Sequence, residues 1–217
     1  MYKAIIFDLD GTLLNTIEDI TDSLNIALAQ ENLPTHSVEE TKAFVGSGVK
    51  IMVERATKGL DCSEKQKKNV LDVYMKEYAL RQAIKTRPYE GMIEVLKDIQ
   101  KENILIGLLS NKPHQDTLRV VDHYYGLSLF NVVLGQREGV PIKPDPTALF
   151  EIMKDLKVEP SECIFVGDSD VDMLTATNAK IAKIGVLWGF RTREVLKQCQ
   201  ADYIVENPQE ILGILKY

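Results

Sequence analysis

The chain has 217 residues, 45% of them hydrophobic and 27% charged, which is ordinary for a globular protein able to bury a substantial core. It carries 26 Lys and Arg against 32 Asp and Glu, a formal charge of −6; this excludes general nucleic-acid binding, which needs a basic face, but permits an anionic small molecule held through a metal. No apolar run reaches the roughly 20 residues that span a bilayer, and the widely spaced Cys62, Cys163 and Cys199 form neither a zinc pattern nor a disulfide framework and suit a reducing cytoplasm.

In chain order, the start Met1-Tyr2-Lys3 leads straight into an apolar strand, Ala4-Ile5-Ile6-Phe7, so no signal peptide is expected. Asp8-Leu9-Asp10-Gly11-Thr12 follows it. Residues 15–84 contain no convincing strand. Ile17, Ile20, Leu24 and Leu28 mark an amphipathic helix, with Thr16 as its start and Asp19 completing a variant capping box. Further helices are expected from Val38 to Phe44, from Gly48 through Ala56, and from Ser63 with Gln66 onward, the last with Val70, Tyr74 and Tyr78 on one side. The chain then alternates. Strand-like runs at Ile104–Leu109, Val132–Leu134, Cys163–Val166, Ile181–Leu187 and Asp202–Val205 are mostly apolar, as in a parallel sheet covered on both faces. Between them, Ile93, Leu96 and Ile99 share one helix face, and so do Leu149, Ile152, Met153 and Leu156, with Pro146 in that helix's first turn. The pattern predicts an α/β fold with a Rossmann-like open parallel sheet. Residues 1–14 and 85–217 form its core, and residues 15–84 an inserted all-helical cap, of a length that suits a lid.

Ligands in such sheets bind outside the carboxyl ends of the strands. Three strands deliver polar groups to that edge: Asp8 with Asp10, Ser110 in Ser110-Asn111-Lys112, and Asp168 in Gly167-Asp168-Ser169-Asp170-Val171-Asp172. Period-two alternation points Asp8 and Asp10 the same way. Two like charges about 4 Å apart repel by roughly 4 kcal/mol at an effective dielectric near 20, so gathering Asp8, Asp10 and Asp168 around a phosphate demands a cation. An all-oxygen ligand set suits Mg2+. A carboxylate can attack phosphorus to form an aspartyl-phosphate, and Asp8 is the candidate. Asp10 is placed to protonate the leaving oxygen and then to activate water. Ser110 offers a hydroxyl to a phosphoryl oxygen, and Gly11 and Asn111 are further candidate substrate contacts. Lys143 lies in Pro141-Ile142-Lys143-Pro144-Asp145-Pro146, where the prolines restrict the loop that presents it. Asp172, four residues after Asp168, shares its face if the segment is helical, and either holds a metal-bound water or orients Lys143. Ser169 belongs to the same supporting group. Asp170 points elsewhere, as an exposed residue or a cap.

Asp8-Leu9-Asp10-Gly11-Thr12, Ser110, Lys143 and Gly167-Asp168-Ser169-x-x-Asp172 resemble, in order and spacing, the four motifs of the haloacid dehalogenase-like phosphatase superfamily. The resemblance covers essentially the whole chain. It implies a Rossmann-like core, Asp8 as nucleophile, Asp10 as general acid/base, and Mg2+ held by Asp8, the Asp10 main-chain carbonyl and Asp168; spacing alone would assign the Asp10 side chain. The helical cap and Phe44-Val45-Gly46-Ser47-Gly48 are similar to the phosphoglycolate phosphatase-like branch, where such a glycine loop reads substrate. Gly46, Ser47 and Gly48 are therefore candidate substrate contacts, their backbone N–H groups approaching an anionic end. Lys50 and Arg55 nearby read as surface charges, with carboxylate binding as the alternative. Two positions depart from the family pattern: Asn15 stands where Asp is common, and Lys180 where Gly is common, at an expected left-handed turn.

The leading expectation is a cytoplasmic Mg2+-dependent phosphatase, monomer or homodimer, acting on a small anionic phosphorylated metabolite, with 2-phosphoglycolate favoured by resemblance. An inorganic pyrophosphatase or a sugar-phosphate phosphatase would use the same machinery. A receiver-like or phosphate-sensing protein is the non-enzymatic alternative; the Asp-x-Asp spacing and the helical insertion disfavour a receiver.

Overall fold

In a computed structural model, which describes residues 2–215, the first strand is β1 (Ala4–Phe7), buried at every position. Its side chains divide by parity, as a pleated strand requires. Ile5 and Phe7 join one apolar cluster and Ala4 and Ile6 another, and these clusters are the two faces of one sheet. The chain separates into two compact units, Met1–Leu14 with Pro88–Tyr217, and Asn15–Arg87. It passes between them through two short strands, β2 (Leu14–Asn15) and β3 (Arg87–Pro88).

The first unit adds β4 (Leu105–Pro113), β5 (Val132–Gln136), β6 (Cys163–Gly167), β7 (Ala182–Val186) and β8 (Tyr203–Val205). The sheet order is β5-β4-β1-β6-β7-β8, with every pair parallel. After β5 the chain crosses back over β1 to begin β6, so the order reverses beside β1. A crevice at the carboxyl ends of β1 and β6 follows from that topology alone.

Helices cover both faces, as a parallel sheet requires. Met92, Val95, Leu96 and Ile99 of α5 (Met92–Lys101) and Val120 and Val121 of α6 (His114–Tyr125) pack on one face. Leu149, Ile152, Met153 and Leu156 of α7 (Thr147–Leu156) and Ala176 and Ala179 of α8 (Asp170–Ala179) pack on the other. Each fully buried Leu, Ile or Phe contributes roughly 1.5–3 kcal/mol of transfer free energy. Pro146 precedes α7 as its N-cap and is not in its first turn. Helix α9 (Arg193–Gln198) lies before β8, and α10 (Glu210–Leu215) closes the described chain. Lys180 caps α8 in the left-handed region at φ +57°; the turn common with glycine is kept with a lysine.

The second unit is helical: α1 (Ile17–Gln30), α2 (Val38–Phe44), α3 (Val49–Ala56) and α4 (Glu64–Arg81). Helix α1 packs along α4. Ser63 caps α4 through a full box with Gln66, and Val70, Tyr74 and Tyr78 are its buried face. The expected box at α1 does not form, because Thr16 makes no side-chain cap. The Asp19 carboxylate instead accepts N–H bonds from Lys85 at 3.0 Å and Thr86 at 2.8 Å. Those bonds tie residues 85 and 86 to the helical unit, so its boundary falls after Arg87, three residues beyond the expected one. Among the described residues no helix is long and apolar enough to cross a membrane, and the three cysteines are unpaired.

Candidate active site

Asp8 follows β1 directly, and its N–H extends the ladder to Val166 O at 2.9 Å. Its carboxylate meets the side chain of Lys143, whose Nζ donates to Asp8 Oδ1 and Asp172 Oδ1, each at 2.7 Å. All three side chains are at most 9% exposed. The loop bearing Lys143 is pinned to β4. Asn111 accepts the Lys143 N–H at its Oδ1 (2.9 Å) and donates from Nδ2 to the Lys143 carbonyl (3.0 Å). Asn178 Nδ2 fixes the Pro144 carbonyl from α8 at 2.8 Å. Asn111, expected among the substrate contacts, thus has both amide atoms engaged with the lysine loop.

Asp172 lies in the first turn of α8. Its Oδ2 accepts the Ser169 N–H (3.1 Å) and hydroxyl (2.6 Å), and Ser169 Oγ accepts the Asp172 N–H in return. This capping box holds the helix start while Asp172 Oδ1 takes Lys143. Of the two roles read from spacing, orienting Lys143 is the one seen. Asp168, at the end of β6, is 1% exposed, and its Oδ2 accepts the Phe190 N–H at 2.6 Å. Ligand oxygens of Asp8, Asp168 and Asp172 all lie within 4.8 Å of one another.

Burial and the Asp172 charge push the Asp8 carboxyl well above the usual range, against the opposing pull of Lys143. Burial and Asp172 likewise raise Asp168, to about 7. Burial works against the Lys143 ammonium, but the adjoining Asp172 and Asp8 carboxylates outweigh it and raise its pKa. The cluster therefore holds more negative charge than its lysine neutralises.

Asp10 stands apart from this cluster. Its Oδ1 lies 2.9 Å from Lys112 Nζ, with the two side chains 20% and 5% exposed. Ser110 Oγ accepts the Lys112 N–H at 3.1 Å, and its own O–H finds no acceptor among the described residues, so it can donate to a ligand. The pairing of β4 with β5 shifts register between Leu109 and Pro113, an irregularity that re-aims side chains at a strand end. Gly11 is not free to bind substrate through its amide, since its N–H donates to Leu14 O at 2.9 Å. What Gly11 supplies is room: at φ +88°, a Cβ there would lie 2.4 Å from Asp168 Oδ2.

Sequence reading missed two contributors. Lys112 lies two residues after Ser110, a period-two signal within a stretch already singled out. Gly189 follows β7, a fourth strand ending at the same edge; a Cβ there would meet Asp168 Cβ at 2.2 Å. Its neighbour Trp188 donates from Nε1 to Thr12 O at 2.9 Å, and Arg191 pairs with Asp170 at 3.2 Å. The turn after β7 thus packs against the end of the Asp8–Thr12 loop and the residue that follows β6.

Gly46, Ser47 and Gly48 belong to the helical unit, in the turn between α2 and α3, with Gly46 at φ +108° and Gly48 at +82°. Lys50 is exposed, as read. Arg55 is not a surface charge: it is half-buried and donates to the Phe44 carbonyl and to Ser47 Oγ, both at 3.0 Å. It holds this turn together.

The chain has relatives that match it along nearly all of its length. A family model of haloacid dehalogenase-like hydrolases matches residues 5–186. The phosphoglycolate phosphatase of Pseudomonas syringae pv. tomato is 33% identical over 99% of this chain and 77% of its own length. That of Haemophilus influenzae (strain 86-028NP) is 30% identical over 99% and 98%. A crystal structure of a candidate phosphoglycolate phosphatase from Lactobacillus delbrueckii subsp. bulgaricus superposes with a TM-score of 0.92 at 31% identity, covering 99% of this chain and 98% of that one. With its four motifs gathered at one sheet edge, this chain belongs to the haloacid dehalogenase-like hydrolases and is a phosphoric monoester hydrolase of their phosphoglycolate phosphatase-like branch.

Proposed function

We propose that this enzyme is a Mg2+-dependent phosphatase that hydrolyses a small phosphomonoester through an aspartyl-phosphate on Asp8, with 2-phosphoglycolate as the favoured substrate. The observation that carries the reading is the buried Asp8 carboxylate, gripped by Lys143 and set beside Asp168. The substrate preference rests on the names of the relatives.

The residues fit a divalent cation. Asp8, Asp10, Asp168 and Asp172 bring four carboxylates to the site, and Lys112 and Lys143 bring two ammonium groups. A 2+ ion makes up the difference, and hard oxygen donors suit Mg2+. Asp8, the Asp10 carbonyl and Asp168 would hold it, since both Asp172 oxygens already serve protein donors. When bound it would lower the pKa of the raised carboxyls and offset charge on the phosphoryl oxygens.

Asp8 attacks phosphorus with a carboxylate oxygen, forming a P–O bond as the bond to the leaving oxygen breaks. Asp10 gives that oxygen a proton, so it departs as an alcohol. The ionised Asp10 then takes a proton from water as the water attacks phosphorus, and the bond to Asp8 breaks to release phosphate. Lys143 favours the ionised form of Asp8 and holds it in place, and the Ser110 hydroxyl donates to a phosphoryl oxygen. The test is phosphate release from a panel of small phosphorylated metabolites that includes 2-phosphoglycolate and pyrophosphate. The highest kcat/KM is expected on 2-phosphoglycolate. A clear preference for pyrophosphate would overturn the substrate assignment, and release stopping at one equivalent would overturn turnover altogether.

A further inference from the structure

The two carboxylates of the Asp-x-Asp pair each hold a different lysine: Asp8 holds Lys143 and Asp10 holds Lys112. Lys112, unlike Asp10, has no part in the reaction steps described above. We infer that Lys112 is a positioning residue for Asp10, fixing the carboxylate so that its Oδ2 faces the proton it must transfer. This inference rests on Asp10 being the proton donor.

Lys112 is built into its place. Its N–H is held by Ser110 Oγ at 3.1 Å, and its carbonyl accepts the Thr117 hydroxyl at 3.2 Å. Gly135 backs it so closely that a Cβ there would lie 2.7 Å from the Lys112 carbonyl. The side chain is 5% exposed and ends 2.9 Å from Asp10 Oδ1. An ammonium this deeply placed needs a counter-charge, so the pair is held in both directions. Asp10, by contrast, has little else to fix it. It is 20% exposed, is followed by a glycine at φ +88°, and its buried Oδ1 has no partner besides the Lys112 ammonium among the described residues. With Oδ1 buried against the Lys112 ammonium, Oδ2 is the oxygen left to carry a proton. A general acid contributes about 10²–10⁴-fold only when held in reach of the leaving oxygen, and Lys112 is the group that holds it.

The leaving group provides the readout. An alkyl phosphate expels an alkoxide and needs the proton, whereas p-nitrophenyl phosphate expels a stable phenolate and does not. kcat/KM reports steps through departure of the leaving group, so the later attack of water, common to both substrates, drops out. The experiment compares kcat/KM for the best alkyl phosphate of the panel and for p-nitrophenyl phosphate in wild type, Asp10→Asn and Lys112→Met. Lys112→Met is expected to lose about 10–100-fold on the alkyl phosphate and several-fold less on the aryl one, copying the selectivity of Asp10→Asn. Equal losses on both substrates, or no loss, in Lys112→Met while Asp10→Asn stays selective would overturn the inference and leave the role of Asp10 standing. No selectivity in Asp10→Asn would overturn the proton-donor reading itself, and the inference with it. Thermal midpoints verify folding, and Lys112→Gln, which keeps length and a hydrogen-bond donor without the charge, replaces Lys112→Met if that variant does not fold.

Discussion

At the scale of single residues the site is a matter of one ammonium among carboxylates. Lys143 Nζ bridges Asp8 and Asp172 at 2.7 Å on each side, with the Phe165 ring 5.5 Å away. Replacing Asp8 by Asn keeps the shape and a polar partner for Lys143 but removes the nucleophile. Asp8→Asn should therefore abolish phosphate release while leaving the circular dichroism spectrum and the thermal transition cooperative; retained turnover would sink the nucleophile assignment. Lys143→Met is a different perturbation. It leaves Asp8 and Asp172 facing each other without a counter-ion, and breaking a buried pair from one side costs about 3–5 kcal/mol. Urea unfolding without Mg2+ should show a loss of that order, and a change below about 1 kcal/mol would mean the bridge contributes little. Asp8 and Asp168 were legible in the sequence because they stand one or two positions past the ends of apolar strands, Lys143 because prolines frame it, and Asp172 because it lies four residues after Asp168. Lys112 was not, since its period-two spacing from Ser110 gives its side of the strand but does not separate a buried lysine from a solvated one. Only its burial against Asp10 makes the distinction.

At the scale of elements, the site is carried by the end of β4 and by four connections: the loop after β1, the loop holding Lys143, the turn from β6 into α8, and the turn after β7. Sequence pattern located the strands and helices well where local rules act alone. Ser63 and Gln66 form the box that starts α4, and the apolar rows of α5 and α7 face the sheet. It failed where a side chain serves a distant partner. Asp19 stands where a capping box would use it, yet it binds the backbone of Lys85 and Thr86, more than sixty residues away. Asn111 reads as a ligand donor and is a brace for the lysine loop. The turn after β7 was invisible for the same reason, because a glycine after a strand has many ordinary explanations. Gly189→Ala tests that turn. A methyl 2.2 Å from Asp168 Cβ and 2.5 Å from Gly11 O must displace one or the other, and Phe190 N–H would lose its grip on Asp168 Oδ2. Disturbing a group that orients a metal ligand typically costs 10–100-fold in affinity. Calorimetric titration with Mg2+ should show a loss in that range for Gly189→Ala, and an unchanged affinity would mean that the turn does not set Asp168.

At the scale of the whole molecule, the charge gathered at the sheet edge links metal binding, pH and stability. Asp168 and Asp8 have raised carboxyl pKa values in the metal-free protein, Asp168 to about 7 from an ordinary 3.8. A carboxyl whose folded pKa exceeds its unfolded value favours the fold below the unfolded value, and that contribution is lost as pH rises through the folded one. The metal-free protein should therefore lose stability between about pH 4 and pH 7 through these two groups. Mg2+ acts in the opposite sense, since its ligands must be ionised and protons compete with it. The stability gained from Mg2+ should grow across the same window, approaching about 2.7 kcal/mol where the ion is present at 100 times its dissociation constant. Thermal midpoints in chelator and in Mg2+ at pH 5.5, 6.5, 7.5 and 8.5 measure both trends together. An increment from Mg2+ that is flat with pH, or larger at pH 5.5 than at 7.5, would mean the raised carboxyls are not the metal's ligands. The cation would then have to sit elsewhere on the chain, and the surplus of carboxylates at the end of β1 would need another counter-charge.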